Sequence, residues 1–313
     1  MPVFDPSREA RLLSKIKSIS DGPLPENALE SIYREIISAS LSLQRPLTIA
    51  YLGPKASFTH EAAGKRFGSS ANYLPCLNIS DVFSVVEKGE ADYGVVPVEN
   101  SIEGAVTYTL DMLIDTDLKI CSEIMLEISH NLLSNYSKEK IRVIYSHPIV
   151  FGQCRVWLET NMPGIELKEV PSTTFAAQMA KKEPYTAAIA SLLAARVYGL
   201  KVIAKGIEDY SHNVTRFFVI GEQVPQPTKK DKTSIVFSVK DEVGALHHML
   251  LPFKRYGINL TKIESRPSKK KAWDYYFFVD LEGHIQEKRI RDALETVDKR
   301  SKFFKVLGSY PVG

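Results

Sequence analysis

The spacing of apolar residues changes along the chain and divides it into three regions. In residues 1–45, apolar residues recur every three to four positions, which predicts two short helices over Arg8–Ile19 and Glu26–Leu43. Pro23 and Pro46 lie where these helices should end. Two helices of this length cannot bury their apolar stripes alone, so we expect the segment to pack against a partner.

Residues 47–223 alternate short apolar strands with helical patterns, from Leu47–Leu52 to Val202–Lys205. Such an alternation is typical of parallel sheets covered by helices on both faces. Lys119–Leu133 is one long extended run with two apolar stretches, as expected where a chain crosses from one lobe to another. We therefore predict two α/β lobes, with a ligand-binding cleft at the strand ends between them.

The third region follows a charged, proline-rich linker at residues 224–232. Its patterns predict the order βαββαβ over residues 233–311, which is ferredoxin-like. It contains no candidate nucleophile or acid–base cluster, so we expect a regulatory or structural role. Lys269–Lys271 lies between two of its strands and is expected to be a solvated hairpin tip.

Length and composition exclude several classes of protein. The 313 residues correspond to roughly two domains at about 150 residues each. A net charge of +3 is too small to indicate a nucleic-acid partner, and no apolar run approaches the roughly 18 residues of a membrane span. Three distant cysteines and no signal-peptide pattern favour a cytoplasmic protein without disulfides or a zinc site.

Polar side chains follow the first strands of the two-lobed region, where the cleft should open. Ser57 lies between a strand and a helix, while Glu99, Asn100 and Ser101 follow the buried strand Ala91–Val98 and open another predicted helix. Backbone N–H groups at helix starts favour an anion, so these positions can hold a negatively charged ligand. Ordinary capping by Ser57 and Asn100 explains the same residues, and both interpretations stay open.

Two further polar groups follow later strands. Ser172 and Thr173 begin a helix, where hydroxyls either cap the helix or hold a carboxylate against its dipole. His147 closes another strand and Gln153 lies in the helix after it. The histidine is either an acid or a polar loop residue.

Arg216 lies where the polar run His212–Thr215 enters a strongly apolar strand. An unpaired guanidinium at the edge of a buried sheet is costly, so Arg216 needs a carboxylate. The protein or a ligand can supply that carboxylate, and the sequence favours neither.

These motifs, in this order, resemble those of prephenate dehydratases over about Thr48–Pro311. Thr215-Arg216-Phe217 is similar to the family's signature TRF, whose threonine is essential, so the resemblance implies that Thr215 and Arg216 are catalytic. Three further stretches are similar to family motifs: Gly53–His60, Val96–Ser101 and Ser146–Cys154. Ala56 departs from the pattern, because the family usually has glycine there.

The resemblance implies a dianionic substrate, prephenate, which needs hydrogen-bond donors and a cation. The residues then expected to bind it, besides Arg216, are Ser57, Glu99, Asn100, Ser101, His147, Gln153, Ser172, Thr173 and Phe217. The departing hydroxide must be protonated or hydrogen-bonded. Thr215 is a poor proton source by itself, so we expect it to be a donor or relay.

The third region resembles an ACT domain. Gly244-Ala245-Leu246 and Glu264–Pro267 are similar to the GAL and ESRP motifs that bind phenylalanine in this family, and Val243 replaces a usual proline. The resemblance implies an allosteric phenylalanine site at Gly244, Ala245, Leu246, Asn259, Leu260, Glu264, Ser265, Arg266 and Pro267, with Asn259 and Leu260 contributed by a neighbouring subunit. Because Gly244 has no side chain, a carboxylate can approach the helix start there. The alternative is that these residues merely shape turns.

Residues 1–45 resemble the C-terminal part of the helical chorismate mutase that is fused to such enzymes. Arg8 and Glu9 are similar to its site pair, and Ser40 and Gln44 to its later polar contacts. The long first helix with its basic ligands is absent, so we expect negligible mutase activity.

Together, the resemblance implies a lyase that forms phenylpyruvate, carbon dioxide and water from prephenate in phenylalanine biosynthesis. It implies no metal or other cofactor, feedback inhibition by L-phenylalanine and a homodimer or homotetramer, without nucleic-acid or membrane partners. Two alternatives remain: a bifunctional enzyme that keeps the mutase, and a non-catalytic two-lobed ligand-binding protein, which the lobe pattern alone would fit.

Overall fold

The computed structural model of the protein describes residues 4–210, 212–268 and 275–313. The helices are α1 (Pro6–Ile19), α2 (Glu26–Gln44), α3 (Phe58–Phe67), α4 (Ile79–Glu87), α5 (Thr107–Asp115), α6 (Pro148–Gln153), α7 (Arg155–Asn161), α8 (Thr173–Lys182), α9 (Leu192–Tyr198), α10 (Ala245–Arg255) and α11 (Lys288–Asp298). The lysine run Lys269–Lys271, predicted to be a hairpin tip, lies outside the described residues.

The strands form three sheets. They are β1 (Thr48–Leu52), β2 (Asn72–Cys76), β3 (Tyr93–Asn100), β4 (Gly104–Ala105), β5 (Lys119–Glu127), β6 (Asn131–Ser134), β7 (Val143–Ser146), β8 (Glu166–Glu169), β9 (Thr186–Ala190), β10 (Lys201–Ala204), β11 (Val214–Gly221), β12 (Asp231–Ser238), β13 (Leu260–Pro267), β14 (Tyr275–Glu282) and β15 (Phe303–Pro311).

The first two sheets are the cores of two α/β lobes, as predicted. The first lobe has the strand order β2-β1-β3-β11-β5, with β4 beside β3, and the second has β10-β6-β9-β7-β8. The chain crosses between them twice, from β5 to β6 and from β10 to β11. The predicted parallel pairing is present for β1 with β2 and β3 and for β7 with β8 and β9. It fails elsewhere, because β11 is antiparallel to both of its neighbours and β6 is antiparallel to β9 and β10. The antiparallel pairs involve the strands that flank the two crossings. These strands are not joined to their neighbours in the sheet by the helical connections that parallel pairing requires.

Both faces of the first sheet are buried, and β11 contributes side chains to each. Phe217 packs with Tyr51 on the face covered by α3, whereas Phe218 packs with Val96 on the opposite face, beneath α4 and α5. Successive side chains of a strand point to opposite faces, so neighbouring residues of β11 enter different cores.

The C-terminal sheet is antiparallel, in the order β13-β14-β12-β15, and with α10 and α11 it forms the predicted ferredoxin-like βαββαβ domain. The helices cover one face, around Phe237 and Phe253. The other face packs on the first lobe, where Tyr276 and Phe278 share a core with Phe218. This domain is therefore continuous with the first lobe rather than attached only by its linker.

The N-terminal helices are covered unequally. Phe4, just before α1, packs against Phe67 of α3 with ring centroids 5.0 Å apart. On α2, by contrast, Ile32 and Ile36 are about half exposed and Leu43 is 90% exposed. Both helices contact the first lobe, since Glu9 of α1 pairs with Arg66 and Ser38 Oγ of α2 accepts from the N–H of Ser70, but α2 leaves an apolar stripe exposed. Among the described residues, no helix is long and apolar enough to cross a membrane.

Candidate active site

Thr215 and Asn100 form a hydrogen-bonded pair at the end of the first lobe's sheet. Thr215 lies near the start of β11 and is the register partner of Asn100, the last residue of β3. The Asn100 Nδ2 group donates to Thr215 Oγ1 at 2.8 Å and to Asn213 Oδ1 at 2.6 Å. Both chain crossings between the lobes end nearby, since the amide N–H of Ile128 donates to the carbonyl oxygen of Asn213.

The orientation of the Asn100 amide is fixed by the turn after β3. Its Oδ1 accepts from the backbone N–H groups of Ile102 and Glu103, at 2.9 and 3.0 Å. The amide must therefore present Nδ2, a donor, to Thr215. Because Thr215 Oγ1 is the acceptor in this pair, its own proton is available for donation to another group.

A second network joins this turn to the other lobe. Gln153, at the end of α6, donates from Nε2 to Glu103 Oε1 at 3.1 Å. Its Oε1 lies 2.8 Å from Nε2 of His130, so that nitrogen carries the proton. Burial lowers the pKa of His130, which favours the neutral ring. Gln153, a predicted site residue, thus bridges the lobes next to Thr215.

The sequence analysis missed His130. It is a lone histidine without a recognisable motif, in the crossing segment between β5 and β6. Its Nδ1 is buried and has no hydrogen-bond partner among the residues described. The only signal in the sequence was its position in the predicted crossing between the lobes, which suggests a location near the cleft but indicates no chemical role.

Ser101 does not open a helix, contrary to prediction. Residues 101–103 form the turn from β3 to β4, and α5 begins only at Thr107. Ser101 Oγ accepts from the N–H of Val214 at 2.9 Å and donates to the carbonyl oxygen of His212 at 2.9 Å. Ser101 therefore fastens the start of β11 beside Thr215.

Three of the expected substrate contacts are helix caps. Ser57 Oγ accepts from the N–H of His60 at the start of α3, and Ser172 Oγ accepts from the N–H of Phe175 in α8. His147 Nδ1 accepts from the N–H of Ile149 in α6. For Ser57 and Ser172 these contacts match the capping interpretation, whereas the capping role of His147 was not anticipated from the sequence. Thr173, half-buried in the first turn of α8, stays a predicted ligand contact.

Arg216 requires a correction, because it lies on the opposite face of the sheet from Thr215 and its charge is matched by the protein. Its Nε and Nη2 lie 2.8 Å from Glu123 Oε2, and its Nη1 lies 2.5 Å from Asp280 Oδ2. Burial alone would lower the pKa of Arg216, but Tyr310, Asp280 and Glu123 raise it above its ordinary value. The structure thus contains the internal ion pair rather than a guanidinium facing a ligand.

Phe217 and Glu99 also need correction as substrate contacts. Phe217 is 1% exposed and belongs to the core beneath α3, so its ring does not reach the cleft. Glu99 lies beside Arg216 in the ladder of β3 and β11, and its Oε2 is 2.6 Å from Nζ of Lys262 in β13. Glu99 is next to Asn100 in β3 and therefore points to the opposite face of the sheet, whereas Phe217 shares the face of Thr215 but lies deeper, in the core under α3.

The predicted phenylalanine residues lie in two places. Gly244 has a φ of 83°, a backbone conformation that favours glycine, and it directly precedes α10 with Ala245 and Leu246 in the first turn. Asn259 and Leu260 lie at the start of the edge strand β13, where Asn259 Nδ2 donates to Glu282 Oε1 at 3.0 Å.

Glu264 and Arg266 point away from α10. The register of β13 sets them opposite Phe278 and Tyr276, which pack on the first lobe, and Arg266 Nη2 lies 3.3 Å from Asp111 Oδ1 in α5. The structure therefore does not bring these two side chains together with Gly244. Ser265 and Pro267 have exposed positions along the same strand, and their role stays a prediction.

Two of the four mutase-like residues, Glu9 and Ser40, are engaged by contacts within the chain, whereas Arg8 and Gln44 are exposed. Glu9 is buried, with Oε1 2.5 Å from Nη1 of Arg66 in α3. Ser40 Oγ donates to the carbonyl oxygen of Ile36 in its own helix. A cavity of about 1070 Å³ is lined by α1, α2, the end of α3, β5, the linker and the C-terminal residues, and Thr215 does not line it.

Comparison with known families divides the chain as the motifs do. The prephenate dehydratase profile matches residues 49–225, the ACT domain profile matches residues 233–299, and the profile of chorismate mutase type II matches residues 1–45. The first of these matches covers more than half of the chain.

Relatives named for prephenate dehydratase activity match most of the chain. A bifunctional chorismate mutase/prephenate dehydratase of Aquifex aeolicus (strain VF5) is 52% identical, covering 99% of this chain and 87% of that protein. A prephenate dehydratase of Methanocaldococcus jannaschii is 39% identical, over 84% and 98%. The crystal structure of prephenate dehydratase from Arthrobacter aurescens, solved in complex with L-Phe, superimposes with a TM-score of 0.79 at 35% identity, covering 85% of this chain and 90% of that one.

The internal ion pairs of Arg216 predict a large effect on stability. Arg216→Met should lower the free energy of unfolding by about 3–5 kcal/mol, because Asp280 is left as a buried carboxylate without its cationic partner and Glu123 keeps only its ion pair with Lys232. Denaturant unfolding measures this. The matched control is Arg45→Met, whose partner Asp92 is also an aspartate but whose own side chain is 59% exposed, and which should cost less than about 1 kcal/mol. Equal losses in the two variants would contradict the assignment.

Proposed function

The chain belongs to the prephenate dehydratase family, and from that premise we propose that Thr215 hydrogen-bonds the departing hydroxyl as prephenate becomes phenylpyruvate, carbon dioxide and water. The observation that carries this proposal is the hydrogen bond from Asn100 Nδ2 to Thr215 Oγ1. It sets the direction of the threonine proton, away from Asn100 and toward whatever occupies the cleft.

The reaction needs one proton at the leaving oxygen. As the carboxylate on the ring carbon leaves as carbon dioxide, its bonding electrons enter the ring, and the hydroxyl departs with the electrons of its C–O bond. A hydrogen bond from Thr215 stabilises the negative charge that develops on that oxygen. Asn100 in turn stabilises charge on Thr215 Oγ1, so the threonine acts as a donor or relay rather than as a strong acid. Formation of the aromatic ring supplies much of the driving force.

Other groups must hold the two carboxylates, since Arg216 is paired internally. We infer that backbone N–H groups at the starts of α3 and α8, with Thr173, supply these contacts. In support, the loop before α3 reaches the second lobe, where Ala56 is buried in that lobe's core. An anion at this start of α3 would therefore lie between the lobes.

We further propose that L-phenylalanine inhibits the enzyme by binding at Gly244 and the first turn of α10, with Asn259 and Leu260 supplied by a second subunit. The relative from Arthrobacter aurescens, which was crystallised with L-Phe, supports an amino-acid effector. The exposed edge strand β13, which starts at Leu260, supports a homodimer or homotetramer. A cytoplasmic location accords with the biosynthetic activity in the names of the relatives.

The first prediction concerns Thr215. Thr215→Ala should lower kcat by at least about a hundredfold with little change in KM, because the lost hydrogen bond acts mainly on the transition state. Turnover of prephenate, followed as phenylpyruvate absorbance in alkali, measures this.

Thr215→Ser is the matched control and should retain most of the activity, since it keeps the hydroxyl. Thr215→Val, which keeps the shape and removes the hydroxyl, should resemble the alanine variant. A folded alanine or valine variant with near-wild-type kcat would overturn the assignment. No turnover by the wild-type chain would favour the non-catalytic ligand-binding alternative.

The second prediction concerns the effector. Gly244→Val should abolish phenylalanine binding in calorimetric titration, because the new side chain blocks the backbone at the start of α10. Valine is also strained at a positive φ, so a control with the same strain is needed. Gly257→Val serves, since Gly257 has a φ of 61° just beyond the other end of α10 and nothing within 4 Å of an added Cβ. Loss of binding in both variants, or in neither, would contradict a site at Gly244.

The third prediction concerns the N-terminal segment. The bifunctional relatives raise the alternative that this chain also rearranges chorismate. We expect negligible mutase activity from the purified 313-residue chain, because Glu9 is engaged by Arg66 and Ser40 by its own helix. Loss of chorismate absorbance measures this activity, and robust conversion would restore the bifunctional alternative.

A further inference from the structure

The residues behind the Thr215–Asn100 pair form a cluster of four charges with the C-terminal sheet. In the ladder of β11 and β3, Thr215 pairs with Asn100 and the next rung pairs Arg216 with Glu99. In the ladder of β13 and β14, Lys262 pairs with Asp280. The two charged rungs face each other across the interface between the first lobe and the ACT domain.

Charge is complementary at both contacts. Arg216 Nη1 lies 2.5 Å from Asp280 Oδ2, and Glu99 Oε2 lies 2.6 Å from Lys262 Nζ. Each rung therefore has one cation and one anion, and each of them faces a residue of opposite charge in the other sheet. A sideways shift of one sheet over the other by one strand would set Arg216 against Lys262 or Glu99 against Asp280, so the contact fixes which strands of the two sheets face each other.

Hydrogen bonds hold the buried half of the cluster rigidly. Asp280 Oδ1 accepts from Ser234 Oγ at 2.5 Å, and Tyr310 OH contacts both Ser234 Oγ and Arg216 Nη2, at 2.6 and 3.0 Å. Asp280 and Arg216 are each only 6% exposed. A shift of β14 that breaks these contacts would uncover buried charge, which is strongly unfavourable. Arg216 and Asp280 must therefore move together.

We propose that Arg216 and Glu99 are positioning residues that hold Thr215 and Asn100, and that their ion pairs with Asp280 and Lys262 carry the effect of an ACT-domain ligand to the active site. Arg216 directly follows Thr215 in β11, and Glu99 directly precedes Asn100 in β3. A displacement of the charged rung therefore alters the Asn100–Thr215 hydrogen bond directly. The proposal rests on the proposed function and names the route of its regulation.

The effect requires that phenylalanine bind one arrangement of the cluster better than another. Its binding energy then shifts the population toward a state with a displaced rung, and prephenate weakens phenylalanine binding by the same factor. The two partners of each ion pair belong to different domains, so a displacement of one domain relative to the other has to break or rearrange both pairs.

Lys262→Met tests this route. It removes one partner of the more exposed of the two ion pairs, so we expect the variant to fold. The Glu99 side chain is 37% exposed and that of Lys262 is 15% exposed, in contrast to the deeply buried Arg216–Asp280 pair. In this variant, phenylalanine should still bind in calorimetry within about threefold of wild type. Inhibition, measured as the ratio of kcat/KM without and with saturating phenylalanine, should weaken at least fivefold. Lys262→Arg keeps the charge and should restore it.

Lys305→Met is the matched control. Lys305 is also an ACT-domain lysine that contacts the first lobe, but its Nζ donates to the carbonyl oxygens of Leu113 and Ile114 at the end of α5, at 3.1 and 2.8 Å. It touches neither β3 nor β11, so its loss should leave inhibition unchanged.

The outcomes separate the two proposals. Full inhibition of Lys262→Met, or equal weakening in Lys262→Met and Lys305→Met, would overturn the route while the dehydratase function stands. A wild-type chain without prephenate turnover would overturn the proposed function, and this route with it. Weakened inhibition in Lys262→Met alone, with phenylalanine still bound, supports the route.

Discussion

A buried guanidinium must be matched, and the match of Arg216 constrains most of this structure. Glu123 comes from β5 in the same sheet, while Asp280 comes from the ACT domain. Lys232 of the same C-terminal sheet also pairs with Glu123, so Arg216 and Lys232 together balance the two carboxylates. Because Asp280 and Lys232 both belong to the C-terminal sheet, that sheet has to lie against the first lobe for these buried charges to be matched. Side-chain alternation in β11 then fixes Thr215 on the other face, toward the cleft. One ion cluster thereby constrains both the arrangement of the domains and the position of the Thr215 hydroxyl, for which we propose the catalytic role.

Local chemistry could be predicted from the sequence where it is encoded by near neighbours. The caps of α3 and α8 followed from a serine before a helix, and the βαββαβ order followed from the periodicity of apolar residues. Asn100 shows where this fails. Its oxygen accepts from the N–H groups two and three residues ahead, as an N-cap does, yet the chain turns into β4 instead of a helix. A helix N-cap and this turn into β4 have the same local hydrogen bonds, and they differ only in the β-pairing that follows.

Long-range partners could not be predicted in this way. The sequence showed that Arg216 needs a carboxylate, but Glu123 and Asp280 are 93 and 64 residues away. A family motif such as Thr215-Arg216-Phe217 joins three residues with three different environments: the cleft, an ion cluster and a core. Adjacency in a strand motif is therefore poor evidence of a shared role. The same holds for Glu264–Pro267, in which Arg266 contacts α5 of the first lobe.

Amide hydrogen exchange on the full chain, with and without saturating phenylalanine, tests the central claim most directly. If the charge cluster couples the ACT domain to the catalytic pair, exchange should change in residues 99–101 and 214–217 as well as in the ACT domain, while the second lobe's sheet stays unchanged. Changes confined to residues 231–311 would contradict the account, because the domain would then bind its ligand without disturbing the strands that carry Thr215 and Asn100.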